Sequence, residues 1–122
     1  MKRILIVDDD DSMRRAISRQ LTAHGYRTAI ASNGQEALLS LDSHPADLIV
    51  LDMMMPEMSG PEFLKVLQAS PKRSKIPVII ITAGDMSIAM LNFRPFKVQK
   101  IIPKALGIPD ALLATTREIL GE

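Results

Sequence analysis

Polar side chains stand where four short apolar runs of this sequence end. They are Asp8, Asp9, Asp10 and Asp11 after the first run, Asp52 after the third, Thr82 after the fourth and Lys104 after the fifth. In an open sheet of parallel strands, the functional crevice lies outside the carboxyl ends of the strands. We therefore expect two or three carboxylates, a hydroxyl and an ammonium to converge at one edge of a sheet.

Carboxylates held close together repel one another, and either a proton or a hard divalent cation relieves that repulsion. Magnesium suits the second role, because it binds one or two carboxylates together with phosphate and water oxygens. Beside such a cation, Lys104 can offset the charge of a phosphoryl group and Thr82 can donate a hydrogen bond to it. A carboxylate can itself accept the phosphoryl group and form an acyl phosphate. These residue types therefore favour phosphoryl chemistry with Mg²⁺.

Five short aliphatic runs must position these side chains. Three of the runs are continuously apolar, which is typical of strands covered on both faces of a sheet. Longer amphipathic stretches separate them, and this alternation predicts an α/β fold with a parallel sheet and helices on both faces. The runs cover residues 4–7, 28–31, 48–51, 78–81 and 98–102.

Apolar residues recur at helical spacing in four of the stretches between and after the runs. The first helix is predicted to follow a cap at Asp11 or Ser12. The stretch 84–95 predicts only a short further helix, because Pro95 would stop it. From residue 86 to residue 109 the chain has no acid and four bases, a local asymmetry that the net charge hides. The bases are Arg94, Lys97, Lys100 and Lys104.

Composition limits the classes of function. The 122 residues fit one domain, 1–122, and 15 Lys and Arg against 14 Asp and Glu leave a net charge of +1. The absence of Cys excludes disulfides, thiolate metal sites and Cys nucleophiles. The apolar runs are too short for a membrane span or a signal peptide, so we expect a soluble cytoplasmic protein. One Tyr and three Phe offer no basic aromatic platform, so direct nucleic-acid binding is not expected.

The sequence resembles the receiver domain of two-component response regulators over nearly its whole length, most of all the single-domain, chemotaxis-regulator type. The matching stretches are 4–9 (ILIVDD), 48–60 (LIVLDMMMPEMSG), 77–83 (PVIIITA) and Lys104. Any one of them alone is a weak signal, but together and in this order they are specific. The resemblance implies a flavodoxin-like (βα)5 fold, a doubly wound, five-stranded parallel sheet with strand order 2-1-3-4-5.

The resemblance also implies a role for each acidic residue of the site. Asp52 corresponds to the phosphoacceptor, which takes a phosphoryl group from a histidine kinase or a phosphotransfer protein. Asp9, helped by Asp8, corresponds to the ligand of Mg²⁺, and Asp52 and the backbone carbonyl of Met54 complete the set. Such a domain phosphorylates and dephosphorylates only itself, so it is not expected to be an enzyme that turns over a separate substrate.

By the same resemblance, Thr82 corresponds to the switch hydroxyl and Lys104 to the lysine that contacts the phosphoryl group. Phosphorylation is then expected to repack the face formed by the fourth helix, the fifth strand and the fifth helix. The domain would act by reversible binding to a downstream protein, as a monomer or as a phosphorylation-dependent dimer. The basic stretch 94–104 favours a partner with an acidic surface.

Three positions depart from the family pattern. Position 101 usually holds Tyr or Phe and here holds Ile101, so the aromatic part of the switch is missing. The lysine is usually followed by a cis-proline, whereas Ala105 follows Lys104 here. A cis bond before a residue other than proline costs about 3–4 kcal/mol, so we expect a trans bond or a different loop. Pro103 cannot donate a ladder hydrogen bond, which is tolerable on an edge strand.

Two other functions remain open. A haloacid-dehalogenase-type phosphatase also begins with a strand that ends in an Asp-x-Asp motif, which Asp8 and Asp10 match. The chain is short for such an enzyme, and no second acidic pair follows Lys104. A pseudo-receiver would use the same fold as a docking module without phosphorylation, and the unusual region 93–105 is compatible with that reading.

Overall fold

The computed structural model describes residues 1–55, 57–104 and 107–121, in which five strands alternate with five helices. The strands are β1 (Arg3–Val7), β2 (Arg27–Ala31), β3 (Leu48–Asp52), β4 (Val78–Thr82) and β5 (Lys100–Pro103). The helices are α1 (Asp11–Ala23), α2 (Gly34–Ser43), α3 (Gly60–Ala69), α4 (Met86–Phe93) and α5 (Ile108–Leu120). Among these described helices, none combines the length and the apolar composition that crossing a membrane requires.

All five strands are parallel and lie in the order β2-β1-β3-β4-β5. The predicted fold class and strand order are thus confirmed. The chain moves outward from β1 to β2 and then returns to place β3 on the other side of β1. This reversal of direction leaves a crevice between the carboxyl ends of β1 and β3, where ligands bind in such sheets.

Helices cover both faces of the sheet because successive residues of each strand point to opposite sides. In β3, Ile49 and Leu51 enter the core under α2, α3 and α4, whereas Leu48 and Val50 enter the core under α1 and α5. All five residues of β3 and of β4 are buried. The continuous apolar runs of the sequence are therefore explained by burial on both faces.

The boundaries of two elements differ from the prediction. The cap of α1 is Asp10 rather than Asp11 or Ser12, and its carboxylate accepts the backbone N–H of Met13 at 3.2 Å. Strand β5 begins at Lys100 rather than at residue 98. Gln99 donates its backbone N–H to the Val78 carbonyl at 2.8 Å, but its side chain accepts the N–H of Val78 at 2.7 Å. A side-chain bond thus takes the place of one backbone bond, and regular pairing begins one residue later.

The end of β3 is joined to α3 by a close packing contact at Gly60. Its N–H donates to the Met53 carbonyl at 3.0 Å, and Ser59 forms a capping box with Glu62 at the start of the helix. A Cβ atom on Gly60 would lie 3.0 Å from that same carbonyl oxygen and 3.0 Å from the ring of Phe93. Only glycine allows α3 to begin this close to the site edge of the sheet.

We expect Gly60→Ala to lower the free energy of unfolding by about 1–3 kcal/mol, because the added methyl group meets backbone oxygen that cannot move away. Gly34→Ala is the matched control, since its Cβ would meet mainly the flexible side chain of Met58. That control should change stability much less. Urea unfolding of both variants measures the difference, and equal losses would contradict the close-packing argument.

Candidate functional site

Three carboxylates meet at the crevice between β1 and β3. Asp8 follows the last residue of β1, and Asp52 is the last residue of β3. One carboxylate oxygen each from Asp8, Asp9 and Asp52 lies within 4.8 Å of the others. Asp8 is fully buried and Asp52 is 4% exposed, whereas Asp9 is open to solvent. The structure thus brings together the three acids that the sequence pointed to.

The connection between β1 and α1 is fixed by hydrogen bonds around Asp8. One oxygen of its carboxylate accepts the N–H of Asp10 at 3.0 Å. The guanidinium of Arg14 donates to the Asp8 carbonyl at 2.6 Å and to the carboxylate of Asp11 at 2.8 Å. Sequence reasoning missed Arg14, although a base one turn into a helix that follows an acidic loop is a signal that could have found it.

Lys104 reaches the same carboxylates from the end of β5. Its Nζ atom lies 3.3 Å from Asp8 Oδ2 and 3.5 Å from Asp52 Oδ1, and its side chain is 18% exposed. The ammonium therefore lies between the two buried acids. The expectation about the bond from Lys104 to Ala105 falls outside the described residues.

The electrostatics of the site follow from this crowding. Burial, and then the charge of Asp8, raise the pKa of the Asp52 carboxyl from 3.8 to about 7, against the opposing charge of Lys104. Burial alone would lower the pKa of Lys104, but the charges of Asp52 and Asp8 together raise it above its ordinary value of 10.5. One lysine therefore does not neutralise the carboxylates, and the site retains an excess of negative charge.

The donor set fits a hard divalent cation. Asp8 Oδ2 is buried and accepts no hydrogen bond from any described residue. Its charged neighbour is the Lys104 ammonium at 3.3 Å, so this oxygen keeps lone pairs with which it can bind a cation. Octahedral Mg²⁺ binds oxygens at about 2.1 Å, so adjacent ligands are about 3.0 Å apart and opposite ligands about 4.2 Å apart. The oxygens of Asp8, Asp9 and Asp52 all lie within 4.8 Å of one another, so they can close on one ion by moving inward. Met54 lies in the loop directly after β3, and the predicted role of its carbonyl stays a prediction.

Thr82 ends the neighbouring strand β4 and is almost fully buried. Its hydroxyl donates to the sulfur of Met53 at 3.4 Å and accepts the N–H of Gly84 at 3.1 Å. The hydroxyl is thus next to the site but is bonded to a sulfur atom rather than to a carboxylate. Nothing in the sequence signalled that Met53 would offer a sulfur acceptor to this hydroxyl.

At position 101 the structure shows what replaces the missing aromatic ring. Ile101 is partly buried, pairs with Ile80 of β4, and packs against the core under α2, α3 and α4. Phe96 packs against the same core, and Phe93 is fully buried within it. The aromatic side chains of this region therefore belong to α4 and to the connection after it rather than to β5.

The comparisons with known proteins agree with this geometry. The family model of the response regulator receiver domain matches residues 4–116, and the chain belongs to that family. Chemotaxis protein CheY4 of Vibrio cholerae is similar in structure, with a TM-score of 0.90, 28% identity and 98% of each chain covered. TrrA of Thermotoga maritima, solved in complex with Mg(2+)-BeF, has a TM-score of 0.83 and 30% identity, covering 98% of this chain and 99% of TrrA.

Among curated proteins, response regulator MprA of Mycolicibacterium vanbaalenii is 33% identical over 118 residues. That match covers 97% of this chain and 50% of MprA. The chain spans half or less of the length of the first curated relatives that it matches. Family membership favours a receiver domain over a haloacid-dehalogenase-type phosphatase. Whether the domain is a pseudo-receiver depends on whether it can be phosphorylated.

The raised pKa of Asp52 predicts how stability depends on pH without added divalent cation. Between about pH 4 and pH 7 the folded protein holds a proton on Asp52 that the unfolded chain has released. Its contribution to the free energy of unfolding therefore falls as the pH rises through this range. The Asp52→Asn variant has no carboxyl group to titrate at this position. Its free energy of unfolding should therefore rise, relative to that of the wild type, as the pH increases from about 4 to about 7. Urea unfolding in EDTA across this range measures the difference, and a constant difference would contradict the assignment.

Proposed function

We propose that this domain accepts a phosphoryl group on Asp52 from a histidine kinase or a phosphotransfer protein and changes its binding to a downstream protein as a result. The observation that carries the proposal is the meeting of Asp8, Asp9 and Asp52, with the ammonium of Lys104 between Asp8 and Asp52. This arrangement lies at the ligand-binding edge of a receiver fold and combines a buried nucleophile with cation ligands.

In this proposal, a carboxylate oxygen of Asp52 attacks the phosphorus atom as the bond from phosphorus to the donor nitrogen breaks. The donor imidazole leaves with the electron pair of that bond, and Asp52 becomes an acyl phosphate. Lys104 contacts the transferred phosphoryl oxygens and offsets their charge. Asp8, Asp9, Asp52 and the Met54 carbonyl would hold Mg²⁺, which supplies the further positive charge that phosphoryl transfer needs.

Thr82 provides the conformational response. Its hydroxyl can leave the sulfur of Met53 and donate to a phosphoryl oxygen on Asp52, which is a stronger, charge-assisted hydrogen bond. Thr82 is joined to β5 by its pairing with Pro103, so its movement is transmitted to the face formed by α4, β5 and α5. The exposed apolar residues of α4 favour the docking of a downstream protein. The neighbouring bases favour an acidic surface on that protein. Exposed apolar residues there are Ile88, Met90 and Leu91.

We further propose that residues 1–122 form one receiver domain that acts in the cytoplasm, as a monomer or as a phosphorylation-dependent dimer. A curated relative twice the length of the match shows that such domains occur in longer regulators, so the output of a whole protein is a separate question.

We expect the wild type to gain the mass of one phosphate when incubated with Mg²⁺ and a small acyl-phosphate donor. The Asp52→Asn variant should gain none, because the amide is not a nucleophile of this kind, and EDTA should abolish the gain in the wild type. Intact-mass spectrometry measures all three samples, with circular dichroism to show that the variant is folded.

No added phosphate on folded wild type, together with no spectral response to Mg²⁺ and beryllofluoride, would favour the pseudo-receiver. Multiple turnover of a phosphate ester such as p-nitrophenyl phosphate would instead favour a phosphatase. Phosphate on a folded Asp52→Asn variant would show that another residue is the acceptor.

The bond from Thr82 to Met53 predicts that the sulfur holds the hydroxyl in its resting position. Met53→Leu keeps the volume but removes the acceptor, so the affinity for beryllofluoride in Mg²⁺ should rise roughly two- to tenfold. Titration followed by NMR measures the change. In a Thr82→Ala background the same substitution should have no effect, and an equal gain there would assign the change to packing rather than to the hydrogen bond.

A further inference from the structure

The charges of this domain are separated along the direction of the strands. The acidic site lies where the strands end, and a set of bases lies where the strands begin, which we call the amino edge. The bases that open a strand, or lie in the connection before it, form the basic row: Lys2, Arg3, Arg27, Lys72, Arg73, Lys75, Arg94, Lys97 and Lys100. A net charge of +1 conceals this polarity, because the two sets nearly cancel in the sum.

The basic row has little neutralising charge around it. Among the described residues, Arg73 is the one member of the row that forms an ion pair, with Asp42, and all members are exposed except Arg3 and Arg73, which are partly exposed. Arg3 and Arg27 are register partners on adjacent strands, which are about 4.8 Å apart. Like charges in that position repel one another, and a bound anion would relieve the repulsion.

The acids of this edge are mostly engaged. Asp47 accepts the backbone N–H of Arg3 at 2.8 Å, and Asp42 is paired with Arg73. Glu118, in the last turn of α5, lines a shallow groove together with Lys100. Lys72 and Lys75 in the α3–β4 connection are exposed and form no ion pair with a described residue.

A cleft of about 290 Å³ opens on the amino edge between the end of α2 and the α3–β4 connection. Its apolar lining includes Leu41, Ala46 and Ile76, and Lys72 and the Arg73–Asp42 pair supply its charged lining. Turn hydrogen bonds hold the connection in place, including Ser74 N–H to the Ser70 carbonyl at 2.8 Å. The cleft is therefore formed in advance rather than created by a ligand.

We propose that the amino edge docks an acidic segment of another protein, which places one apolar side chain in the cleft and its carboxylates on Lys72, Lys75 and their neighbours. An apolar cleft beside cations is complementary to an acidic peptide with an aliphatic anchor. A nucleic-acid backbone has no such side chain, and the cleft has no aromatic ring on which a base could stack. The volume is at the lower limit for a small-molecule pocket and fits a single side chain better than a whole cofactor.

This surface is distinct from the phosphoacceptor site. Strands of five residues at about 3.3 Å per residue separate the two edges by about 17 Å. A partner on the amino edge therefore leaves Asp52 accessible, and the inference does not rest on the proposed phosphorylation.

The test uses fluorescein-labelled peptides of about 12 residues, rich in Glu and Asp, with Leu, Ile, Val or Met at the centre. We expect at least one of them to bind the wild-type protein in low salt, with amide NMR shifts concentrated in residues 41–47 and 70–77. Lys72→Glu combined with Lys75→Glu should weaken that binding at least about tenfold. Arg19→Glu with Lys65→Glu is the control, because it makes the same change in net charge on exposed helix faces.

A peptide with Ala at the centre should bind more weakly than the best of the four, since the cleft then stays empty. Equal loss in the control pair, no saturable binding of any peptide, or shifts away from the cleft would overturn the proposal. Tighter binding of a DNA duplex or of phosphatidylglycerol vesicles than of every peptide would also overturn it, in favour of a phosphate-binding surface. Acyl-phosphate labelling of Asp52 in the Lys72→Glu, Lys75→Glu protein should match wild type, which separates this test from that of the phosphoacceptor.

Discussion

The burial of Asp8 and Asp52 beside one another is the interaction on which the rest of the structure depends. Two carboxylates out of contact with bulk water repel strongly, and a protein tolerates them only with compensating charge or with a proton. Lys104 supplies part of that charge, and the raised pKa of Asp52 shows that it is not enough. A site with this imbalance attracts cations, and this is the property that the proposed phosphoryl transfer requires.

The fold maintains this unfavourable arrangement by fixing the backbone around it. Asp8 and Asp52 are held by two adjacent central strands whose residues are buried on both faces, so neither side chain can move into solvent without disrupting the sheet. Arg14 fixes the loop after β1, and Gly60 lets α3 begin against the end of β3. The favourable free energy of packing in the two hydrophobic cores thus offsets the unfavourable free energy of the buried carboxylates.

Helices that follow parallel strands begin at the edge where the strands end, so their positive dipole ends face the acidic site. Side chains of Asp10, Asn33, Ser59 and Asp85 accept the free N–H groups of the first four helices. Two of these caps, Asp10 and Asp85, are acids, so part of the acidic charge at this edge accepts the free N–H groups of the helices. The bases gather at the opposite edge, where the helices end and their dipoles are negative. The topology therefore favours acids at the site edge and bases at the amino edge.

Much of the fold could be predicted from the sequence, because burial on both faces leaves continuous apolar runs and parallel connections leave amphipathic helices between them. The first and last residues of strands and helices were less predictable, because single side-chain hydrogen bonds decide them. The side chain of Gln99 and the cap at Asp10 are examples. The residue types of the site could be chosen from their positions after the strands. Their common location follows from the reversal of strand order between β1 and β3.

What the sequence alone determined was the class of fold and the identity of the candidate acids, hydroxyl and lysine. Only the tertiary structure decided how far apart they lie, that Arg14 fixes the acidic loop, and that the hydroxyl of Thr82 rests on the sulfur of Met53. It also decided that the charges separate to opposite edges. These features depend on distances between residues far apart in the chain, and a sequence pattern records spacing along the backbone but not separation in space.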